Sequence, residues 1–316
     1  MKIIISLMFC LLAVASAKSQ NILVANRQLL VFSAIKGTKS KPDSIVLQAG
    51  KTIKIKDIKI TGANAGLFKI ISKKPAQSSP ENPATIKVIF EPTAEFTGLA
   101  KGYLQVNGKD VSVALNGLST KGLEGENEAP LSEVVSALGY DINVGWKTLA
   151  NHLKSELQGE ELPPALFQKA AGGVVEIIPV ARYSPDFLLN FGYYVHTPQG
   201  PRQIQAGILA KAGSFPEHQT LFPKISKGQT SFDPGSQSFG FYAISPDHTL
   251  YSEDCWNILF HPMRASHAVR IYPVNATSGA VPNTYLVCME EAANGDYNDY
   301  VFLVKNIKPV SLESEF

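Results

Sequence analysis

Short apolar or alternating runs, separated by turn residues, fill the chain from residue 22 to residue 120. They predict seven strands: Leu29–Phe32, Ser44–Leu47, Thr52–Ile60, Leu67–Ile71, Thr85–Phe90, Gly102–Val106 and Asp110–Leu115. Glycine, proline, asparagine or serine recurs between the runs at intervals of about 10–15 residues, which is typical of a β-sandwich. Asn107-Gly108 between the last two runs is a strong hairpin signal. We therefore predict an all-β first domain at residues 22–120.

The apolar period then changes from that of strands to that of helices. The sequence STKGLEGENEAP combines glycine, charge and a terminal proline, and it predicts a linker at residues 121–130. Leu131–Leu138 and Trp146–Leu157 then carry apolar residues at helical spacing. We predict two short helices within a helical lead-in, residues 131–159.

From Val174 the strand pattern returns. The predicted strands are Val174–Val180, Leu188–Val195, Arg202–Ala210, Ser238–Ile244, Asn257–His261, Ala268–Val274, Tyr285–Met289 and Tyr300–Val304. Proline and glycine recur between them, so we predict a second β-sandwich, jelly-roll-like, at residues 160–308. Residues 309–316 form a tail, of which we expect Ser311–Phe316 to be disordered.

The N-terminus carries the pattern of a signal peptide at residues 1–17. Lys2 precedes the apolar run Ile3–Val14, and Ala15-Ser16-Ala17 is a small-x-small processing site. The mature chain then starts at Lys18. No other stretch supplies about 20 apolar residues, so we expect a secreted, periplasmic or cell-surface protein without a membrane span.

Charge is divided unevenly along the chain. Residues 18–122 contain 16 Lys/Arg against 6 Asp/Glu, a net charge of +10, and residues 123–316 contain 12 against 21, a net charge of −9. The lysines alternate with strand residues and do not interleave with exposed aromatic residues, so we expect a solvated sheet face and no nucleic-acid partner.

Two cysteines remain outside the signal peptide. They are Cys255 and Cys288, an even number in a chain that we expect to be exported. Such a pair favours one disulfide, which would tie the segment around Asp254 to the last predicted hairpin.

That last hairpin has an acidic connection. Between Tyr285–Met289 and Tyr300–Val304 lie acidic and amide residues, namely Glu290, Glu291, Asn294, Asp296, Asn298 and Asp299. They repel one another unless solvent or a hard cation neutralises them, and oxygen-only ligand sets suit Ca²⁺. Two interpretations stay open, a solvated polar tip and a calcium site. In the second, the ligands would be Glu290, Glu291, Asp296, Asn298 and Asp299, with Asp254 brought in by the disulfide.

These residues resemble a known family. The stretch from Glu290-Glu291 to Asp296-Tyr297-Asn298-Asp299 resembles the close of the DUF4114 domain, a secreted β-rich module, although Asn294 stands where that family has Asp. The order Tyr251 to Asn257 followed by His267 is also similar. The resemblance implies a calcium-associated, adhesive or carbohydrate-binding surface module.

The first domain has a resemblance of its own. Its motif order ITGANAGLF, VIFEPT and VALNG is similar to the choice-of-anchor and ASH-type immunoglobulin-like modules of exported bacterial proteins. This implies an immunoglobulin-like sandwich that acts as a spacer or docking unit.

The sequence contains no common catalytic motif. The six histidines form no HExxH or His-x-x-x-His pair, and GxSxG, P-loop and GxGxxG signatures are absent. Aromatic residues near the acidic hairpin offer faces for sugars, with Tyr251 and Trp256 the candidates for exposed rings and Asn257 and His267 beside them. We therefore expect a non-catalytic exported protein whose second domain binds a glycan or cell-surface polymer with Ca²⁺. The alternatives are a secreted glycan-active hydrolase, with Asp254 and Glu290 as its carboxylates, and a structural spacer of the cell envelope.

Overall fold

The computed structural model describes residues 22–310 except 124, 150–153, 164–165, 212–218, 277–278 and 293. The predicted signal peptide, residues 1–17, and residues 311–316 of the predicted tail lie outside the described residues. The protein is mainly β, with two sandwiches and two short α-helices, as the sequence predicts.

The first sandwich has two four-stranded sheets. Its strands are β1 (Leu23–Ala25), β2 (Leu29–Ile35), β3 (Asp43–Ala49), β4 (Ile53–Lys54), β5 (Ile58–Thr61), β6 (Phe68–Ile70), β7 (Gln77–Ser78), β8 (Ala84–Phe90), β9 (Gly98–Val106) and β10 (Val111–Thr120). One sheet has the order β1-β3-β8-β6 and the other the order β2-β10-β9-β5. Strands β2 and β10 are parallel, while β9 and β10 form the predicted hairpin, with Asn107 and Gly108 at φ values of 50° and 73°. These positive angles match the turn that the Asn-Gly pair favours.

One helix joins the two sandwiches. The helix α1 (Leu131–Ala137) confirms the first helical prediction, but the prediction of a helix at Trp146–Leu157 is wrong within its described residues. There the side chain of Arg270 donates hydrogen bonds to the backbone carbonyls of Lys154 and Glu156. These carbonyls accept hydrogen bonds from the buried arginine and are not paired with backbone N–H groups of a helix. The hydrogen bonds stabilise an irregular segment.

The second sandwich follows residue 166. Its strands are β11 (Phe167–Lys169), β12 (Val175–Tyr183), β13 (Leu189–Thr197), β14 (Gly200–Leu209), β15 (Gln219–Leu221), β16 (Ile225–Gly228), β17 (Ser231–Phe232), β18 (Gly240–Ile244), β19 (Thr249–Tyr251), β20 (Val269–Ala276), β21 (Gly279–Met289), β22 (Tyr300–Lys305) and β23 (Ile307–Pro309). A six-stranded sheet has the order β15-β12-β22-β21-β20, with β17 also on β12, and a five-stranded sheet has the order β16-β14-β13-β18-β19. All its pairings are antiparallel.

One predicted strand is a helix. The run Asn257–His261 lies mostly in α2 (Asp254–Phe260), which follows β19. The side-chain amide of Asn257 bonds to both the backbone N–H and the carbonyl of Tyr251, so a side chain covers the strand edge where another strand would pair. Short apolar runs fit both helix and strand, which is why the pattern gave the wrong element.

The six-stranded sheet is covered on both faces. One face packs on the five-stranded sheet, and the ring centroids of Phe302 and Phe191 lie 4.9 Å apart there. The other face packs on α1 and the lead-in, in a cluster that includes Leu118 of the first sandwich, Val134 of α1 and Val301 of β22. Burial on both faces explains the unbroken apolar sequence of β22.

The two sandwiches therefore share a hydrophobic core through α1. Asn116 donates to the carbonyl of Ala137 at 3.0 Å, and the hydroxyls of Ser33 and Thr220 lie 2.9 Å apart. The predicted linker contains the 3₁₀ turn Gly125–Asn127 and ends close to the buried Ala129. No helix in the described part of the chain is long and apolar enough to cross a membrane.

Candidate functional site

The acidic connection between β21 and β22 folds inward. The hairpin itself is confirmed, because Met289 pairs with Tyr300 at its end. Glu290, Asp296 and Asp299 are at most 4% exposed, and each offers a carboxylate oxygen within 4.8 Å of the other two. The interpretation of a solvated polar tip is therefore wrong. We call these three residues the acidic cluster.

Backbone amides shape the loop around Glu290. Its carboxylate accepts hydrogen bonds from the backbone N–H groups of Ala292, Asp296 and Tyr297 at 2.8 to 3.0 Å. Asp299 in turn accepts the backbone N–H of Glu291 at 2.6 Å. The chain turns back sharply enough to do this because two residues, Gly295 and Tyr297, have positive φ values.

Like charges in this buried loop oppose ionisation. Burial and the Asp296 carboxylate raise the pKa of Glu290 to about 8. Burial raises the pKa of Asp296, and burial together with Glu290 and Asp296 raises the pKa of Asp299 well above its ordinary value. The cluster is therefore stable only with bound protons or with a cation.

The donor set fits a hard cation. Asp296 Oδ1 and Asn298 Oδ1 are buried and accept no hydrogen bond from any residue the structure describes, and neither does Asn294 Oδ1. The side-chain nitrogens of the two asparagines do have partners. Asn298 donates to the carbonyl of Ala129, and Asn294 donates to Asp296 Oδ2. Ca²⁺ binds oxygen ligands, and a bound cation would occupy acceptors that have no hydrogen bond.

Two predicted metal ligands have other partners. The Glu291 carboxylate accepts the hydroxyl of Tyr300, and the Asp254 carboxylate bonds to His267 Nδ1 at 2.9 Å. Neither residue belongs to the acidic cluster. The predicted ligand set thus narrows to Glu290, Asp296, Asn298 and Asp299, and Asn294 lies beside it.

His267 is the centre of a buried ion network. Its Nε2 lies 2.7 Å from Glu161, whose other oxygen pairs with Arg270. Burial lowers the pKa of His267, but the hydrogen bonds to Asp254 and Glu161 outweigh this effect and raise that pKa to about 9. The prediction of His267 as a ligand-binding residue is therefore wrong: the charged ring is 1% exposed and is held between Asp254 and Glu161.

The predicted disulfide is absent. Cys255 and Cys288 are both free thiols, Cys255 exposed on α2 and Cys288 fully buried in β21. Cys288 packs in the hydrophobic cluster beneath α1, whereas Cys255 lies at the surface. The two thiols therefore lie in different environments. Asp254 is held instead by His267.

A group of exposed and partly buried rings lies around α2. The rings of Trp256 and Phe260 are parallel, with centroids 5.8 Å apart, and His196 is edge-on to Trp256 at 5.6 Å. We call these three residues the aromatic surface. Glu253 fixes it, because one carboxylate oxygen bonds to His196 Nε2 at 2.6 Å and accepts the indole N–H of Trp256 at 3.2 Å.

Of the four predicted ligand-binding residues, only Trp256 belongs to this surface. Tyr251 is 5% exposed and Asn257 is 2% exposed, so a ligand in solvent cannot reach either side chain. The predictions of these two residues as ligand-binding residues are therefore wrong. Sequence reasoning missed His196, Glu253 and Phe260. The sequence signal that could have found Phe260 lies in DCWNILF. In a helix, Trp256 and Phe260 are four residues apart and therefore lie on the same face.

Comparison with known proteins gives no family assignment. No family model matches the chain, and no curated protein matches it significantly. Function must therefore be argued from the acidic cluster and the aromatic surface.

Proposed function

We propose that the chain is an exported, non-catalytic binding protein of the periplasm or cell surface, whose second sandwich recognises a glycan or cell-surface polymer with the help of Ca²⁺. The observation that carries the proposal is the acidic cluster, with three buried carboxylates whose oxygens lie within 4.8 Å of one another. Buried like charges are strongly unfavourable unless they are neutralised. The leftover buried oxygens of Asp296 and Asn298 favour a cation as the neutralising group.

The calcium has a structural role in this proposal. Glu290, Asp296 and Asp299 would hold the ion, with the amide oxygens of Asn298 and Asn294 as neutral donors. A bound Ca²⁺ supplies positive charge that offsets the repulsion among the carboxylates. The protein supplies the shape of the loop, through the amides that bond to Glu290.

The polymer would bind at the aromatic surface. Phe260 is 45% exposed and the side chain of His196 is 46% exposed. Flat rings with a polar edge suit the apolar faces and hydroxyls of sugars. The acidic loop supports this surface, since Tyr297 bonds to the carbonyl of His267, whose ring bonds to Asp254 at the start of α2.

The resemblances fit the same proposal. The DUF4114-like second domain would bind the polymer, and the immunoglobulin-like first domain would act as a spacer or docking unit. The hydrolase alternative is less well supported, because its carboxylates Asp254 and Glu290 are engaged by His267 and by backbone amides, respectively.

Calorimetry tests the calcium site. Titration of Ca²⁺ into chelator-treated protein should give heat and a raised melting temperature at up to about 10 mM, which saturates extracellular sites with dissociation constants of about 0.1–1 mM. Asp296→Ala should abolish both, while Asp247→Ala, which removes an exposed carboxylate outside the loop, should keep them. Absence of any thermal shift, or an equal shift in Asp296→Ala, would overturn the calcium proposal.

A glycan array with and without chelator tests the polymer. Trp256→Ala should lose the binding, and Leu259→Ala should keep it, because Leu259 is 64% exposed on the same helix without belonging to the aromatic surface. Turnover of labelled polysaccharides by the wild-type protein would instead establish the hydrolase alternative.

A further inference from the structure

A groove lies at the junction of the first sandwich with α1, and none of its lining residues belongs to the acidic cluster or the aromatic surface. It has a volume of about 470 Å³. Its floor is the outer face of β9 and β10, and its wall is the end of α1 with the following residues Tyr140 and Asp141. We propose that this junction groove is a saccharide-binding site, for a short neutral glycan of two or three sugar rings.

On the floor of the groove, larger side chains of β9 lie next to smaller side chains of β10. Lys101 and Tyr103 are two apart on β9, so they point to the same face. Opposite Tyr103 in β10 is Ala114, and opposite Lys101 is Asn116. The small side chain of Ala114 leaves space beside the tyrosine ring, which gives the groove its depth.

The wall is fixed to both sandwiches. Asn116 Nδ2 donates to the carbonyls of Ser136 and Ala137 at 3.3 and 3.0 Å, which joins the wall to the floor. The backbone N–H of Asp141 donates to the carbonyl of Asn275 at 2.7 Å, which joins the wall to the second sandwich. The groove is thus preformed, and a ligand need not order it on binding.

Aromatic faces and hydrogen-bonding groups are both available in the groove. Tyr103 is 51% exposed although it lies in the middle of a sheet, and Tyr140 is half-buried. Burial raises the pKa of Tyr140, so its hydroxyl stays a donor at neutral pH. Lys101 and Asp141 make no ion pair with any residue that the structure describes, so an ammonium donor and a carboxylate acceptor remain for a ligand.

This chemistry favours a neutral saccharide over other ligands. Sugar hydroxyls need donors and acceptors together, and their ring faces pack on tyrosine. One positive and one negative side chain at the groove give no preference for an anion or a cation. An extended peptide would lack a strand to pair with, because β9 and β10 are both interior strands of the order β2-β10-β9-β5. The size also lies in the usual range of small-ligand sites.

Nuclear magnetic resonance titration tests the groove. The full chain from Lys18 would be titrated with cellobiose, maltose, mannobiose and N,N′-diacetylchitobiose, each to about 50 mM, which detects dissociation constants in the millimolar range. At least one disaccharide should shift the backbone resonances of β9, β10 and the residues after α1. Tyr103→Ala should weaken that binding by roughly tenfold or more, and Tyr103→Phe should retain it, since the ring carries the contact.

Two controls separate this site from the aromatic surface. Trp256→Ala should leave the shifts in the groove unchanged, and so should Phe222→Ala, which removes a ring of equal exposure elsewhere. Shifts confined to α2 and lost in Trp256→Ala would overturn the junction site while supporting the proposed function. Absence of any shift in the groove with all four sugars, or equal binding by Tyr103→Ala, would also overturn it.

Discussion

The hydroxyl of Tyr297 donates a hydrogen bond of 2.6 Å to the backbone carbonyl of His267. At its other end Tyr297 donates its backbone N–H to Glu290 of the acidic cluster, at 3.0 Å. The ring of His267 continues the connection to Asp254, the first residue of α2. One buried tyrosine thus joins the acidic loop to the ion network and, through it, to the helix that carries the aromatic surface.

Removing this hydroxyl should destabilise the second sandwich. In Tyr297→Phe the carbonyl of His267 stays buried without its donor, which costs roughly 1–3 kcal/mol of the free energy of unfolding. Urea denaturation measures the change, with Tyr103→Phe as the control because its ring is half exposed. Equal midpoints for Tyr297→Phe and wild type would show that the hydrogen bond contributes nothing.

The stability of the fold should fall as the pH rises through the titration of His267. Its folded pKa of about 9 lies above the ordinary value of 6.5, so the ion network contributes fully below pH 6.5 and loses its contribution towards pH 9. The difference corresponds to an upper limit of roughly 3 kcal/mol. Denaturant midpoints from pH 6 to pH 10 should fall more steeply in wild type than in His267→Gln. Parallel curves for the two proteins would contradict the role of the charged ring.

The two cysteines should differ in reactivity. In protein beginning at Lys18, a thiol reagent should label Cys255 in the native state and Cys288 only after unfolding, because Cys288 has no exposed surface. Burial also raises the pKa of both thiols, so the labelling of Cys255 should be slow at neutral pH. Mass spectrometry counts the labels. A native protein with no reactive thiol, in which reduction releases two, would instead restore the predicted disulfide.

The sequence predicted strands better than it predicted the site, for physical reasons. Strand burial repeats every two residues, so β8 and the Asn107-Gly108 hairpin are visible in the pattern itself. The segment Trp146–Leu157 shows that apolar spacing does not always determine local structure. Its apolar spacing predicts a helix, but the buried guanidinium of Arg270, more than a hundred residues later, binds its carbonyls.

The site depends on similar long-range contacts. The acidic residues of the last hairpin could be recognised from composition, but their burial could not, and Asn298 beside them bonds to the carbonyl of the distant Ala129. Glu161 and Glu253 had no distinguishing sequence signal, because a carboxylate in a loop is ordinarily solvated. Their partners His267 and His196 are brought to them only by the fold.

A single methyl group should destabilise the first sandwich. A Cβ at Gly117 in β10 would lie 2.6 Å from the ring of Phe90, which is fully buried in the opposite sheet. Gly117→Ala should therefore lower the free energy of unfolding by about 1–3 kcal/mol, as overpacked cores do. Gly66→Ala is the matched control, since nothing lies within 4 Å of its added Cβ. Thermal unfolding of both variants checks the prediction, and equal melting temperatures would refute the close packing.

Calcium binding should release protons from the acidic cluster. Because the pKa of Glu290 is raised to about 8, this carboxyl is protonated at pH 6.5, and a cation that binds its carboxylate must displace the proton. Calorimetric titration in two buffers with different ionisation enthalpies gives the number released, which we expect to be at least one at pH 6.5 and to fall as the pH rises above the pKa of Glu290.

The variants identify where those protons come from. The amide side chain introduced in Glu290→Gln cannot release a proton, so the buffer dependence of the heat should fall by about one proton relative to wild type, and the affinity should fall because one charged donor is lost. Asp247→Asn, with its carboxylate 69% exposed outside the loop, should behave as wild type. Proton release that persists unchanged in Glu290→Gln would assign the raised pKa to a carboxyl other than Glu290. Calcium binding without proton release at pH 6.5 in the wild-type protein would place the ion outside the acidic cluster, because binding within it requires the protonated carboxyl to ionise.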